Sequence, residues 1–350
     1  MTALKLATDV RLPTRKQVRF QFAIYGMEAS LQALQAKAGG PAAKTLADKH
    51  ALLAKCESEL RGFEAACAEY TAAGEQLSAD EVESFRQSGR ERCHPLLLQS
   101  PFARRCFEKP LGYAGDYGMV RYILGDPFQG ESAFGQLVNY SLLQTEVAQG
   151  HRNRIRVLEE LLTDYAAKAH AQGRKSRGLT IGCGPAEETF RFILNSPHAD
   201  HLALTLLDFN QETLNWAEAR LKRTCLEAQV SPELTYVQES VFNLAKKRPS
   251  TVQPEFDLVV CAGLFDYLTD KFCQRVIEFG ARSLLPGGTL LVTNVSSCTS
   301  SFCMSEMLDW TLIYRSAEHL ERLLPQLEGF THKVYVDETG TNVVAELTRA

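Results

Sequence analysis

The sequence predicts an α/β protein: a doubly wound, largely parallel sheet preceded by an all-helical N-terminal half. Three observations carry this. Up to about residue 175 apolar residues recur at helical spacing without a convincing strand pattern. From Leu179 onward short β-prone apolar runs alternate with helical segments. The first of those runs ends in a glycine turn that opens a helix. The chain has 350 residues, 45% of them hydrophobic, enough for a substantial core in one large or two medium domains. We place a helical cap at residues 1–150 and the sheet domain at residues 151–350.

In the first half, residues 15–35 and 42–73 read as amphipathic helices separated by Gly39, Gly40 and Pro41. Ser78 and Glu81 have capping-box spacing and open a helix from Ala79 to about Gln87, ending before Gly89. Residues 134–148 and 152–170 read as two longer helices leading into the glycine turn. Residues 109–119, with three glycines, a proline, two tyrosines and an acid, suit neither helix nor strand. The faces of Tyr113 and Tyr117 attract a cation, and Asp116 can hold an ammonium. An ordinary connection between helices accounts for this loop equally well, and an independent dimerisation bundle is the competing reading of the whole half.

In the second half we place strands at residues 179–181, 203–207, 235–237 and 256–261. A fifth runs over 289–295 after the Pro286-Gly287-Gly288 turn, and a final pair over 334–336 and 343–347 around a turn at Gly340. Right-handed crossovers place ligands at the carboxyl ends of the first four strands. There the first strand gives Gly182, Cys183, Gly184 and Pro185, a backbone without Cβ atoms at both glycines. The second ends on Asp208, followed by Phe209 and Asn210, and a carboxylate there accepts hydrogen bonds from both hydroxyls of a ribose. Ser240 and Val241 follow the third strand, where they meet an adenine edge. Ala262, Gly263 and Leu264 follow the fourth, with Asp266 and Tyr267 just beyond. The spacing departs from the dinucleotide fingerprint, because Glu187 stands where the third glycine belongs. Pro185, Glu187 and Glu188 at the helix start would repel a pyrophosphate. A phosphate-free nucleoside carrying positive charge fits better.

Composition excludes other classes. A net charge of -4 and an isoelectric point near 6.1 give no electrostatic reason to expect nucleic acid. Residues 1–17 lack an apolar signal region, and no apolar run approaches membrane-spanning length. Ten cysteines without paired CxxC spacing read as reduced, cytoplasmic thiols. Eight histidines without an HExxH pattern give no metal site. The expected partner is a small molecule; a homodimer is left open.

The segment Ile181-Gly-Cys-Gly-Pro185, with Asp208 on the next strand, resembles the cofactor loop of class I S-adenosylmethionine-dependent methyltransferases. A generic strand-glycine-helix turn is the bland alternative. Residues 109–117, 261–268, 286–288 and 306–315 together resemble a narrower group, the bacterial synthases of 3-hydroxy fatty acid methyl ester quorum signals and their relatives. Azetidine-2-carboxylate synthases, which cyclise the methionine moiety of S-adenosylmethionine itself, are similar too. The resemblance covers roughly residues 100–350. It implies a Rossmann-like, seven-stranded sheet of order 3-2-1-4-5-7-6 beneath a helical lid, and an enzyme of bacterial signal or secondary metabolism. One departure stands out. In the ester synthases an arginine precedes the glutamate that matches Glu306; here that place is taken by Phe302, which cannot grip an acceptor carboxylate.

Two chemistries compete. In methyl transfer, an acceptor, a carboxylate among the candidates, displaces the methyl group and S-adenosylhomocysteine is the product. A phenol or amine acceptor would need a base, for which Asp266, Glu306 and His319 are available. In cyclisation, the amine of S-adenosylmethionine attacks its own γ-carbon and methylthioadenosine leaves, with no acceptor. Tyr113, Tyr117, Trp310 and Tyr314 would then wall the sulfonium, while Asn294 and Ser296 orient the amine or carboxylate. For Trp310 and Tyr314, at helical spacing, core packing competes. Arg152, Asn153 and Arg156 are candidates for the cofactor carboxylate, with Arg156 read chiefly as solvated helix face. Arg315 reads chiefly as a surface ion-pair partner. A catalytically inactive partner subunit is the third reading, against which the complete glycine loop and Asp208 count.

Overall fold

The computed structural model describes residues 12–244, 255–296 and 298–350; residues 1–11 of the segment read for a signal region lie outside the described residues. Thr14, Thr45 and Ser78 each close a capping box, the last as expected. They open α1 (Arg15–Ala38), α2 (Leu46–Gly74) and α3 (Ala79–Leu97). α3 does not stop at Gly89. A Cβ there would lie 3.3 Å from Met307 Cε, so this glycine is a close-packing position inside the helix, which ends two residues after Pro95.

Next come α4 (Pro101–Glu108), α5 (Tyr117–Leu124), α6 (Ala133–Leu142) and α7 (Glu146–Ala171). The break expected between 148 and 152 falls earlier, because extended Thr145 caps α7. The tyrosine-glycine loop is likewise shorter than expected. Asp116 Oδ1 accepts the Met119 amide at 2.9 Å and starts α5 at Tyr117.

The chain divides into two compact units: Met1–Arg104, Phe128–Ser141 and Phe302–Asp309; and Arg105–Pro127, Leu142–Ser301 and Trp310–Ala350. In the first, Phe302 packs among Phe20 and Tyr70, with ring centroids 5.9 and 5.4 Å away. A Cβ on Gly74 would lie 2.2 Å from the Phe302 ring, so Phe302 is here a half-buried packing residue.

The second unit is a seven-stranded sheet: β1 (Ser176–Ile181), β2 (Leu202–Asp208), β3 (Glu233–Gln238), β4 (Phe256–Cys261), β5 (Leu284–Val295), β6 (Phe330–Val336) and β7 (Asn342–Arg349). Its order is β3-β2-β1-β4-β5-β7-β6, as the sequence implied, with only β7 antiparallel to its neighbours. Pro286-Gly287-Gly288 lies within β5, not before it. Phe256 pairs with Leu284 and Leu258 with Thr289, so the tripeptide loops out of register.

The remaining helices are α8 (Glu187–Asn195), α9 (Gln211–Ala228), α10 (Val241–Leu244), α11 (Asp270–Arg282), α12 (Ser301–Leu308) and α13 (Ala317–Leu323). Strand alternation sends Ile181, Val259 and Val292 to one face with α11 and α13, and Leu204, Val260 and Leu291 to the other with α7, α8 and α9. Residues 310–315, expected at helical spacing, are not helical; α12 ends at Leu308 and Asp309 has a positive φ of 52°. No described helix is long and apolar enough to cross a membrane.

Candidate functional site

The strand order reverses between β1 and β4, which leaves a crevice at their carboxyl ends. A cavity of about 520 Å³ opens there, lined entirely by the second unit, within the size range of small-molecule sites. Gly182, Cys183, Gly184 and Pro185 form one wall. The amides of Gly182 and Cys183 donate to Leu207 O at 2.8 and 3.0 Å, which ties the turn to β2. Positive φ values of 70° at Gly182 and 52° at Gly184 explain the glycines, and nothing lies within 4 Å of where a Gly184 Cβ would stand.

Asp208 lines the cavity and is 6% exposed. It accepts the amides of Gly184 at 3.1 Å and Asn210 at 3.0 Å. Burial pushes its carboxyl up, and those amides oppose the shift by favouring the ionised form. Asn210 is spent on capping α9, accepting the Thr213 amide at 3.0 Å, and is not among the lining residues. Phe209 packs against Tyr113 with ring centroids 4.9 Å apart and planes tilted by 58°, and both face the cavity. Further along, Ser240 and Val241 line it after β3, and Ala262, Gly263, Leu264 and Tyr267 after β4.

The tyrosine-glycine loop therefore reaches the cavity through Tyr113 and Tyr117, the latter donating to Glu212 Oε1 at 3.1 Å. Asp116 does not line it. Its carboxylate, 2% exposed, caps α5 and pairs with Arg105 Nε at 2.7 Å, a structural role away from the cavity. Gly115 is needed for closeness: a Cβ would stand 2.2 Å from the Tyr267 hydroxyl, which accepts Trp310 Nε1 at 2.9 Å. Trp310, 3% exposed, buttresses the cavity from behind through Tyr267 and lies edge-on to His151 at 6.3 Å.

Other expected site residues are structural. Asn294 is buried, donating to Ile313 O at 2.9 Å and accepting from Arg315 Nη1 at 2.6 Å. Ser296 Oγ donates to Gly340 O and Thr341 O, each at 3.1 Å. Tyr314 buries its hydroxyl beside Cys298. Glu306 belongs to the first unit, where it accepts Arg86 Nε at 2.8 Å. Arg315 is not at the surface. It is 1% exposed, bonded to Asp270, Phe265 O, Leu268 O and Asn294. Of the candidate bases, Asp266 is buried and pushed up to about 6 mainly by that burial, but it accepts the Val295 amide at 2.6 Å. His319 pairs with Asp270.

Arg152 is also structural, donating to Ile123 O at 3.0 Å and Leu143 O at 2.7 Å. Sequence reasoning missed its neighbour two positions on. His151, Arg154, Ile155 and Leu158 line the cavity at i, i+3, i+4 and i+7 along α7. Arg154 is 8% exposed and its Nη1 has no hydrogen-bond partner. Burial lowers its pKa against the pull of Asp266, Tyr267 and Glu188. His151 is held neutral, its pKa lowered to about 3 by burial and by Arg154; Nδ1 lies 2.9 Å from Val147 O. Glu188, in the first turn of α8, is raised to about 7 by burial. These side chains leave a buried guanidinium and a buried carboxyl beside the glycine turn. The cavity can hold a nucleoside against Asp208 and a zwitterionic tail at the other end.

A family model described as "Putative methyltransferase" matches residues 113–304. The uncharacterized protein YnbC of Escherichia coli K12 is 25% identical over 173 residues, 49% of this chain and 28% of that protein. The match thus spans only about a quarter of the curated relative's length. Among solved structures, a possible exported protein from Bordetella parapertussis aligns over 96% of this chain and 97% of that one, with a TM-score of 0.52 and 13% identity. Magnesium protoporphyrin IX methyltransferase from Synechocystis PCC 6803, solved with bound SAH, aligns over 66% of this chain and 92% of that one, with a TM-score of 0.43 and 13% identity.

Proposed function

Since this chain belongs to the family described as "Putative methyltransferase", we propose that its cavity binds S-adenosylmethionine and that it methylates a small-molecule acceptor. The observation that carries this is Asp208 facing the cavity beside the positive-φ turn at Gly182 and Gly184. When bound, the cofactor supplies an electrophilic methyl carbon on a sulfonium.

The residues fit this group. The Asp208 carboxylate has acceptor capacity beyond its amide bonds for ribose hydroxyls. Val241, Phe242 and Leu264 offer an apolar slot for a purine, and Tyr113 and Tyr267 present rings that favour a cation. Among the lining residues, His151 is neutral at physiological pH and too weak a base to deprotonate an alcohol or ammonium. An acceptor already anionic or carrying a neutral lone pair, a carboxylate included, needs no base; one that must lose a proton would turn to Glu188, raised to about 7 by burial. Rate enhancement then comes from alignment and exclusion of water. The ten free thiols agree with a reducing, cytoplasmic setting, and signal or secondary metabolism is the expected context.

A second reading is cyclisation of S-adenosylmethionine as substrate to azetidine-2-carboxylate, with loss of methylthioadenosine. Glu188 favours it, because a carboxyl held near 7 is matched to removing a proton from an ammonium. Incubation with S-adenosylmethionine alone, followed by mass detection, separates the readings. Methylthioadenosine with a four-membered imino acid marks cyclisation; S-adenosylhomocysteine appearing only with an added acceptor marks methyl transfer. Absence of detectable affinity for either nucleoside would favour the inactive-subunit reading.

A further inference from the structure

Three of the eight histidines meet outside the cavity, where α7 and the connection after α8 lead into the amino ends of β1 and β2. His170 stands in the last turn of α7, beyond buried Ala166 and Ala169. His198 and His201 bracket a short 3-10 turn, closed by the His201 amide donating to His198 O at 2.9 Å. Three residues per turn place side chains three positions apart on one side, so both imidazoles project together. Ala199 inside this turn is 1% exposed and belongs to the same apolar cluster as Ala166, which fixes the turn against α7.

The rings are close. The Nδ1 atoms of His170 and His198 lie 3.3 Å apart with their ring planes at 87°. His201 lies over His170, with centroids 3.9 Å apart and a tilt of 36°. His170 is exposed and the other two are half-buried. A hydrogen bond usually holds its heavy atoms about 2.7–3.2 Å apart, so the Nδ1 pair is long for one. It matches the edge of a tetrahedral metal site, because bonds of about 2.0–2.1 Å set two ligating nitrogens about 3.3–3.4 Å from each other. Neutral imidazole is a favoured ligand for zinc. Among the described residues no three ligating side chains already stand ready to hold a metal ion. Two nitrogens are at the metal spacing, and rotation of the neighbouring His201 side chain supplies a third. No sequence motif marks the place, since His170 and His198 are 28 positions apart.

We propose that His170, His198 and His201 form a zinc site completed by water. For both Nδ1 atoms to ligate, His170 and His198 carry their protons on Nε2. The bound ion ties the end of α7, the helix that brings His151 and Arg154 to the cavity, to the turn that enters β2. The site is independent of what the cavity binds.

The test uses the tag-free full chain, stripped of metal by a chelator that is then removed. Isothermal titration with zinc chloride should give one ion per chain with a Kd of about 10 µM or tighter. His170→Asn and His198→Asn should each weaken binding by about 30-fold or more, and His201→Asn by about tenfold. Zinc should raise the melting temperature of the wild type by a few degrees and leave that of His170→Asn unchanged. Cobalt(II) in place of zinc should give the visible bands of a tetrahedral ion without the near-ultraviolet band of a thiolate ligand, which separates this site from the free cysteines. That wild-type spectrum decides the matter even if a variant fails to fold. Wild-type binding weaker than about 100 µM, a thiolate band, or His170→Asn binding as tightly as wild type would overturn the site. Unchanged affinity in His201→Asn would overturn the third ligand.

Discussion

The backbone of Gly263 lies directly under the guanidinium of Arg154, with only 2.8 Å between Nη2 and the place a Cβ would occupy. Gly263→Ala must therefore move Arg154 and also hold alanine at φ of 82°, where a Cβ costs roughly 1–2 kcal/mol. We expect a loss of about tenfold or more in affinity for S-adenosylhomocysteine, with a melting temperature a few degrees lower. Titration calorimetry and thermal unfolding measure both; an unchanged affinity would mean Arg154 does not contact the ligand.

Asp208 tests the other end. Asp208→Ala removes the acceptor we propose for both ribose hydroxyls, and hydrogen bonds to a charged group are worth about 1.5–3 kcal/mol each. Affinity for S-adenosylhomocysteine and methylthioadenosine should fall together by about 100-fold or more, because both carry the ribose. Equal binding to wild type and variant would place the ribose elsewhere.

How much of this was legible in the sequence depends on what fixes each residue. The glycine turn and Asp208 were readable because strand alternation and backbone conformation are local properties. Arg154 was passed over for Arg152, although Ile155, Leu158 and Leu162 mark the buried stripe of α7 and put position 154 beside it. Arg315 and Asn294 misled for the opposite reason. Their partners, Asp270 and the carbonyls of Phe265, Leu268 and Ile313, are distant in sequence, so a buried structural network looked like surface charge and ligand donors. Phe302, noted as a departure from the arginine of the resembled group, packs against Phe20, Tyr70 and Gly74, contacts that no local pattern reveals.

Glu188 makes binding depend on pH. Burial holds its carboxyl near 7, beside Glu187 and Thr189 on its own helix, Arg154 on α7 and Cys183 in the glycine turn. The folded protein binds this proton more tightly than the unfolded chain, so the contribution to stability is greatest below the usual carboxyl range and is lost as pH rises toward 7. A ligand ammonium favours the ionised form, so affinity should weaken by up to about tenfold per pH unit below 7. The thermal shift given by S-adenosylhomocysteine should consequently be larger at pH 8 than at pH 6. Glu188→Gln should flatten that dependence, and a profile identical to wild type would remove Glu188 from the site.

Arg315 predicts the cost of removing the scaffold beneath the cavity. Its side chain, 1% exposed, bonds Phe265 O at 2.8 Å and Leu268 O at 2.6 Å, the two carbonyls flanking Tyr267, and reaches Asn294 Oδ1 on β5. Arg315→Met keeps much of the volume but takes a donor from three buried acceptors; Phe265 O keeps the Leu268 amide at 3.2 Å and Leu268 O the Cys273 thiol at 3.6 Å, while Asn294 Oδ1 loses its donor. Half-exposed Asp270 can turn to water, so the penalty falls on those acceptors. Urea unfolding should show a loss of about 1–3 kcal/mol. The denaturant slope should stay unchanged, because the folded and unfolded surfaces differ little between the two proteins. Tyr267 and Leu268 line the cavity on this same segment, so S-adenosylhomocysteine affinity should weaken as well. A variant as stable as wild type would show that the carbonyls find other donors and that the segment holds its shape without the arginine.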